Sequence, residues 1–522
     1  MLQKKLILTY NREILIFLLG LSSFYINYHY GFIGIMPMDN TVLFNGGFRV
    51  LNGYKPFSDY WLVTGPLLDY LNAFFFNLFG VSWSSFIAHA SVINSILAII
   101  SFYFFTNLGL SNLFSLLYSF LISLLFYPVV GTPFVDHHSI FFMILAFYCL
   151  TFYIKNKNSN NLLLIPTILC LSFLSKQTPA AYGIIVISLF ILILAFSYKK
   201  NRKVILQKFL IGATAALIFL ILLFFVTRIN FNEFFHQYIL FGSSIGGDRF
   251  SNYNFNLLNI IIKYKFISFF MLLLIFSFYK LLINKFKNKD DLLIIALILS
   301  LTLILILHQM ITLNQNFIFF LIPLLCGLFH SFYKKVFKVN YLLIISLSIC
   351  LFSVGKYHLR FNEERKFNEL ENIDISKAID AEIIDQKLKG LKWISHLNPN
   401  NPKEEVNDII EIIEYLRKDE KKKILITEFQ IISPLLNIYD NSPNQWHHPS
   451  VSFPTKNQKY YAYYKDYFIS KIKEKKIKFI FETRKDDKLI TGYVLEQDCF
   501  SKEKVKNMFI KLKLNFDCID LR

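Results

Sequence analysis

MPMDNTVLFNGGFRVLNGYKPFSDYWLVTGPLLDYLNAFFFNLFG, residues 36–80, lies between two long apolar runs at 12–30 and 83–107. It has the residue order of a folded loop rather than of a connector. Asp39 through Leu51 reads as a short amphipathic helix, with Val42, Leu43, Val50 and Leu51 apolar. Asn52-Gly53 is a stop signal for it. Pro66 suits the first turn of a second helix over 67–79, which we read as lying in a membrane interface rather than crossing. The whole loop runs over 31–82.

The flanking runs belong to a series. A membrane crossing takes roughly 20 apolar residues, and about eleven segments qualify. They lie at 12–30, 83–107, 111–128, 137–154, 162–175, 179–197, 204–227, 257–282, 291–310, 316–333 and 340–356, with 162–175 the shortest. The composition agrees: 54% hydrophobic, with 58 Phe among 522 residues, is too apolar for a soluble enzyme of this length. The expected fold class is therefore an α-helical multi-pass membrane protein. Residues 1–356 form its membrane domain, and 357–522 form a small extracytoplasmic α/β domain of ordinary soluble composition.

Charge supports that division. The tail from 357 carries 30 Lys+Arg against 27 Asp+Glu, whereas the first 356 residues carry 25 against nine. The basic excess sits in alternate loops. Lys4, Lys5, Arg12, Lys155, Lys157, Lys199, Lys200, Arg202, Lys203, Lys208, Lys280, Lys285, Lys287, Lys289, Lys334, Lys335 and Lys338 fall on one side; Arg49, Lys55, Lys176, Arg228 and Arg249 fall on the other. The positive-inside rule then puts the N-terminus in the cytoplasm and, with an odd number of spans, the tail outside. The first run lacks a small-residue cleavage site and should stay as an anchor. Basic residues spread over loops argue against a nucleic-acid partner. Cys149, Cys170, Cys326 and Cys350 fall in spans, while Cys499 and Cys518 lie where an oxidising compartment permits a disulfide.

The nine carboxylates are Glu13, Asp39, Asp59, Asp69, Asp136, Glu233, Asp248, Asp290 and Asp291, and six of them fall at the outer face. Acidic groups near a bilayer are costly and by default mark a working site. Asp39 leads, with helix capping as its bland alternative. Asp136-His137-His138 is the second cluster, read as site lining or as a helix cap. Adjacent histidines diverge on a helix, so a two-histidine metal site is poorly supported, and a divalent metal shared with Asp39 stays open as the lesser alternative. Lys176, followed by Gln177, is the lone cation of its outer loop, and with Arg249 it can hold an anion; a lysine at a helix end also serves as an anchor. His308 and Gln309, at the end of a span, read as lining the substrate site, with an interfacial histidine that holds no ligand as the alternative. Asp59, Gly53 and Pro66 structure the first loop. Glu233, His236 and Asp248 line a third outer loop over 228–256, and Trp446-His447-His448 reads as loop packing. In the tail, 404–418 reads as a helix and 423–428 and 478–482 as buried strands, with helical stretches near 430–438, 461–476 and 502–511.

Asp39, then Gly53-Tyr54-Lys55-Pro56-Phe57-Ser58-Asp59, then Gly65-Pro66-Leu67, then Leu78-Phe79-Gly80 resembles the polyprenyl-phosphate-sugar-dependent glycosyltransferases of the GT-C fold. Protein O-mannosyltransferases, aminoarabinose transferases and lipopolysaccharide-core glycosyltransferases are similar, and Lys176-Gln177-Thr178 after a span adds to the likeness. The resemblance implies that the first-loop acid acts as base or orients the acceptor. It implies a donor sugar on a polyprenyl phosphate, and a glycan, lipid or protein acceptor at the outer face of a bacterial inner membrane, with inversion at the anomeric carbon. No cofactor is implied. Many relatives carry two adjacent acids in this loop; Asp39-Asn40 has one. The rivals are a flippase of lipid-linked glycans, which would show charges through its spans or repeated halves, and an O-antigen ligase or polymerase, which would use a late outer loop.

Overall fold

The computed structural model describes residues 2–251, 253, 255–283, 289–312, 317–337, 340–418, 422–438, 441–483, 489–505 and 509–520, with the side chains of 2–11, 334 and 520 left aside. Lys285, Lys287, Lys338 and residues 313–316 lie outside them. Among the described residues, eight helices are long and apolar enough to cross a membrane: Trp83–Asn107, Asn112–Val129, Val135–Asn156, Gln177–Ser197, Lys199–Thr227, Lys265–Ile283, Lys289–Thr312 and Tyr341–Glu363. The expected spans at 162–175 and 316–333 fall in shorter apolar helices, Asn160–Ser175 and Ile318–Tyr333. The stretch 12–30 belongs to the helix Leu2–Tyr30. The run at 257–282 is not one helix. It breaks at Tyr264 into Leu257–Lys263 and Lys265–Ile283.

The chain divides into two compact units. The first takes Met1–Gly31, Ile87–Leu222 and Asn252–Phe367; the second takes Phe32–Phe86, Leu223–Ser251 and Asn368–Arg522. In the first, apolar helices are joined by buried polar seams. Ser23 Oγ meets Ser123 Oγ at 2.9 Å, Asn27 Nδ2 donates to Ser91 Oγ at 2.9 Å, and Asn94 Nδ2 donates to the Ser23 carbonyl at 2.9 Å. Such bonds join helices where apolar contact alone does not distinguish helix from lipid. Gly131 has φ +82°, and a Cβ there would lie 2.6 Å from Gly31 Cα, so both glycines are needed for this crossing. At the opposite ends of the helices, Asp291 accepts from Lys155 and Lys335, and Asp290 from Lys157 and Tyr198. Helix Lys199–Thr227 is the outlier. Only Ile205, Gly212 and Ala216 are buried along its main segment, as expected of a helix facing lipid.

In the second unit the loop helices appear at Pro37–Leu51 and Leu67–Phe79. The first is not amphipathic. Eleven of its fifteen residues are buried, because the helix packs on the second helix on one side and on tail segments elsewhere. Pro66 caps the second helix rather than occupying its first turn. Trp61 N–H donates to the Pro443 carbonyl at 2.6 Å, Gln445 N–H donates back to Trp61 at 3.1 Å, and Arg49 Nη1 reaches the Asn444 carbonyl at 3.1 Å. The tail contributes a four-stranded sheet. Lys423–Ile426 runs parallel to Phe479–Glu482, which pairs antiparallel with Phe509–Leu514, which pairs with Phe500–Val505. Of the stretch expected as a helix at 502–511, residues 502–505 and 509–511 therefore fall in two strands, and 506–508 lie outside the described residues. Ile510, Leu512 and Leu514 alternate with Lys511 and Lys513, a period of two that a lysine-rich helix reading overlooks. Cys499 and Cys518 form a disulfide.

Gly46 is where the two loop helices meet. A Cβ at Gly46 would collide with Asp69 Oδ1 and lie 2.5 Å from Gln445 Nε2. Gly46→Ala is expected to destabilise the protein by about 2–3 kcal/mol through overpacking. A thermal melt in detergent checks this; an unchanged transition would show that Asp69 moves aside freely.

Candidate functional site

Asp136 sits in the first turn of helix Val135–Asn156, with Phe134 and not Asp136 as its N-cap. Its carboxylate is fully enclosed and bridges two other segments. Lys176 Nζ donates to Oδ2 at 2.6 Å, and His308 Nε2 lies 2.9 Å from Oδ1. Lys176 holds the break between helices Asn160–Ser175 and Gln177–Ser197, and His308 lies in the last turns of Lys289–Thr312. Three residues singled out separately in the sequence thus form one cluster. Gln177 begins its helix next to Lys176. Gln309 turns its Oε1 to the Phe317 N–H at 3.3 Å.

The two histidines after Asp136 diverge, as adjacent helical residues must. His137 is enclosed by Phe126, Tyr127, Phe134, Phe317 and Phe367, stacking on Phe317 at 4.4 Å. It packs rather than joining the Asp136 cluster. His138 links Tyr127 Oη, on its Nδ1, to His89, whose Nε2 lies 2.9 Å from the Nε2 of His138. Two facing nitrogens share one proton, so one ring donates while the other accepts. Reading the sequence did not single out His89, although a histidine inside an apolar run is itself a signal. Arg365 was also missed. Its buried guanidinium donates to the carbonyls of Pro128 at 2.7 Å and Val130 at 2.9 Å, fixing the turn that leads to Asp136.

In the second unit Asp39 is the third residue of helix Pro37–Leu51 and is half-buried. The local closing bond belongs to its neighbour: Met36 N–H donates to Asn40 Oδ1 at 2.8 Å. Asp59 does structure the loop, accepting from Lys55 N–H at 2.7 Å, and Gly53 follows the helix end with φ +84°. Arg249 lies in the short helix Gly242–Ser251, with Asp248 exposed beside it. Glu233 accepts from Gln237 Nε2 at 3.0 Å, and His236 stacks on Tyr463 at 4.4 Å. His447 is buried and meets Ser442 Oγ at 2.8 Å. Among the described residues, the group Asp498, Cys499 and Cys518 brings three ligand-type side chains together, but both sulfurs are committed to the disulfide.

Asp69 is the buried carboxylate of this unit. Tyr60 Oη donates to it at 2.8 Å, and Gln445 Nε2 lies 2.9 Å from both oxygens. Burial pushes its carboxyl up to about 7, outweighing the two donors and the nearby Arg49 that favour ionisation. A carboxyl whose folded value is raised stabilises the fold at low pH and loses that contribution as pH rises through the folded value. Thermal stability is expected to fall between about pH 4 and pH 7 and to level off above, and Asp69→Asn to flatten that slope. Parallel slopes for the two proteins would place the titration elsewhere.

A scan against protein-family models finds no match, and no curated protein matches the chain.

Proposed function

We propose that the protein is an integral-membrane glycosyltransferase of GT-C architecture. It moves a sugar from a polyprenyl-phosphate donor to a glycan, lipid or protein acceptor at the outer face of a bacterial inner membrane. The reading takes the eight long apolar helices together with Leu2–Tyr30, Asn160–Ser175 and Ile318–Tyr333 as about eleven spans. It places the N-terminus inside and the tail outside, where a disulfide is stable. What carries it is Asp39: a half-buried carboxylate in the first turn of the helix that follows the first apolar helix, at the head of the motif order described above.

Glycosyl transfer needs a base for the acceptor hydroxyl proton as the sugar C1–O bond breaks. It also needs cations or donors for the phosphate whose charge grows as it leaves. Asp39 supplies the base in this reading. Lys176 supplies a cation for phosphate, and Arg249 is a second candidate. Asp136 and His308 position Lys176, and Gln177 flanks it.

The test is transfer from a panel of radiolabelled polyprenyl-phosphate sugars in membranes expressing the wild type. Label appearing in a lipid-linked glycan, lipopolysaccharide or protein fraction supports the reading. No transfer from any donor with all three acceptor fractions present sinks it, and a lipid-flipping assay then tests the transporter alternative.

A further inference from the structure

The charge arrangement around Lys176 is not what a simple phosphate clamp would have. Asp136 is only 1% exposed, while the Lys176 side chain is 19% exposed. The lysine therefore reaches out, and the carboxylate behind it stays enclosed. An incoming anion meets an ammonium already neutralised at 2.6 Å by a fixed carboxylate, which His308 holds from the other side. In a low-dielectric setting that neighbour strongly weakens the attraction of Lys176 for a second anion. The enclosed carboxylate does not itself extend toward a ligand.

We infer that Asp136 is an internal counter-anion that competes with phosphate for Lys176, holding the lysine in place while keeping its grip on lipid-linked phosphate weak enough for release. This rests on the glycosyltransferase reading above, and it gives Asp136 a role opposite in sign to a substrate ligand. Donor and product share the phosphate, so tightening both equally slows turnover once product release limits it. Asp136→Asn keeps the shape and one acceptor oxygen for Lys176; it removes the charge and turns an NH2 toward His308 Nε2, which then accepts. A substrate-ligand role predicts weaker binding in that variant, and a purely structural role predicts lower stability without tighter binding.

The experiment uses full-length protein in detergent. The probe is a polyprenyl monophosphate, with inorganic phosphate and phosphatidic acid as separate arms. Asp136→Asn is expected to bind the polyprenyl phosphate about tenfold tighter or more, and the double variant with Lys176→Met to lose the gain. Equal or weaker binding by Asp136→Asn overturns the inference. A gain confined to inorganic phosphate, or equal for phosphatidic acid, overturns the assignment to the polyprenyl lipid. Should Asp136→Asn fail to fold, Lys176→Met alone decides. A loss of about tenfold in polyprenyl-phosphate affinity is expected, and unchanged affinity overturns the inference. Binding is read without any transfer step. Tighter binding by Asp136→Asn in a protein that transfers no sugar would leave the counter-anion standing and sink the transferase reading. Transfer by a protein whose Asp136→Asn variant binds no tighter would do the reverse.

Discussion

Asp39→Asn is expected to lower sugar transfer by about 10²–10⁴-fold, the usual worth of a positioned general base, well beyond any loss of folded protein. Asn matches Asp in shape but takes up no proton at neutral pH. Asn40 closes onto the Met36 N–H, so that bond survives the exchange. What the exchange forgoes at the helix start is the roughly 0.3–1 kcal/mol that a first-turn carboxylate gains from the helix dipole. Asp59→Asn is the matched control. That carboxylate accepts from Lys55 N–H, so its loss is expected to cost about 1 kcal/mol of stability and far less transfer. Initial rates at matched protein levels, alongside melts of both variants, check the pair. If Asp39→Asn keeps more than a tenth of wild-type transfer, the base is another group.

Much of what positions these residues is local, and that part is legible in the sequence. The loop helices read at 39–51 and 67–79 appear within a few residues of those bounds, because proline, glycine and the Asn-Gly stop act on their immediate neighbours. The divergence of His137 and His138 follows from helix geometry alone. The strand pair Phe500–Val505 and Phe509–Leu514 is hidden for the opposite reason: lysines on one face of a half-buried strand imitate the polar face of a helix.

Assembly of the cluster is not local. Lys176 meets Asp136 across 40 residues and His308 meets it across 172. Each can be suspected alone, as a charged or titratable group in an apolar chain, but no periodicity pairs them. His89 and Arg365 illustrate the harder case. A histidine inside an apolar run and an arginine among other charges have bland explanations until their partners are known. Gln445 has no sequence signal, and only the fold places it against Asp69.

Arg365→Ala is expected to cost about 2–5 kcal/mol, since it leaves two buried carbonyls without their donor at about 1–3 kcal/mol each. The guanidinium is fully buried, and its two nitrogens donate to the Pro128 and Val130 carbonyls, with Val129 at 3.5 Å. These carbonyls belong to the turn after helix Asn112–Leu125, and buried backbone carbonyls need a donor. The same turn carries Tyr127, whose hydroxyl meets His138, and Gly131, which packs against Gly31. Its loosening is therefore expected to reach the first turn of Val135–Asn156, where Asp136 sits. Arg365→Lys separates charge from geometry. Lysine keeps the cation but lacks the planar fork that serves two carbonyls at once, so it is expected to recover less than half of the lost stability. Thermal melts of both variants in detergent measure this directly. An alanine variant that melts with the wild type would mean that water satisfies the three carbonyls, and a lysine variant equal to wild type would mean that charge alone holds the turn.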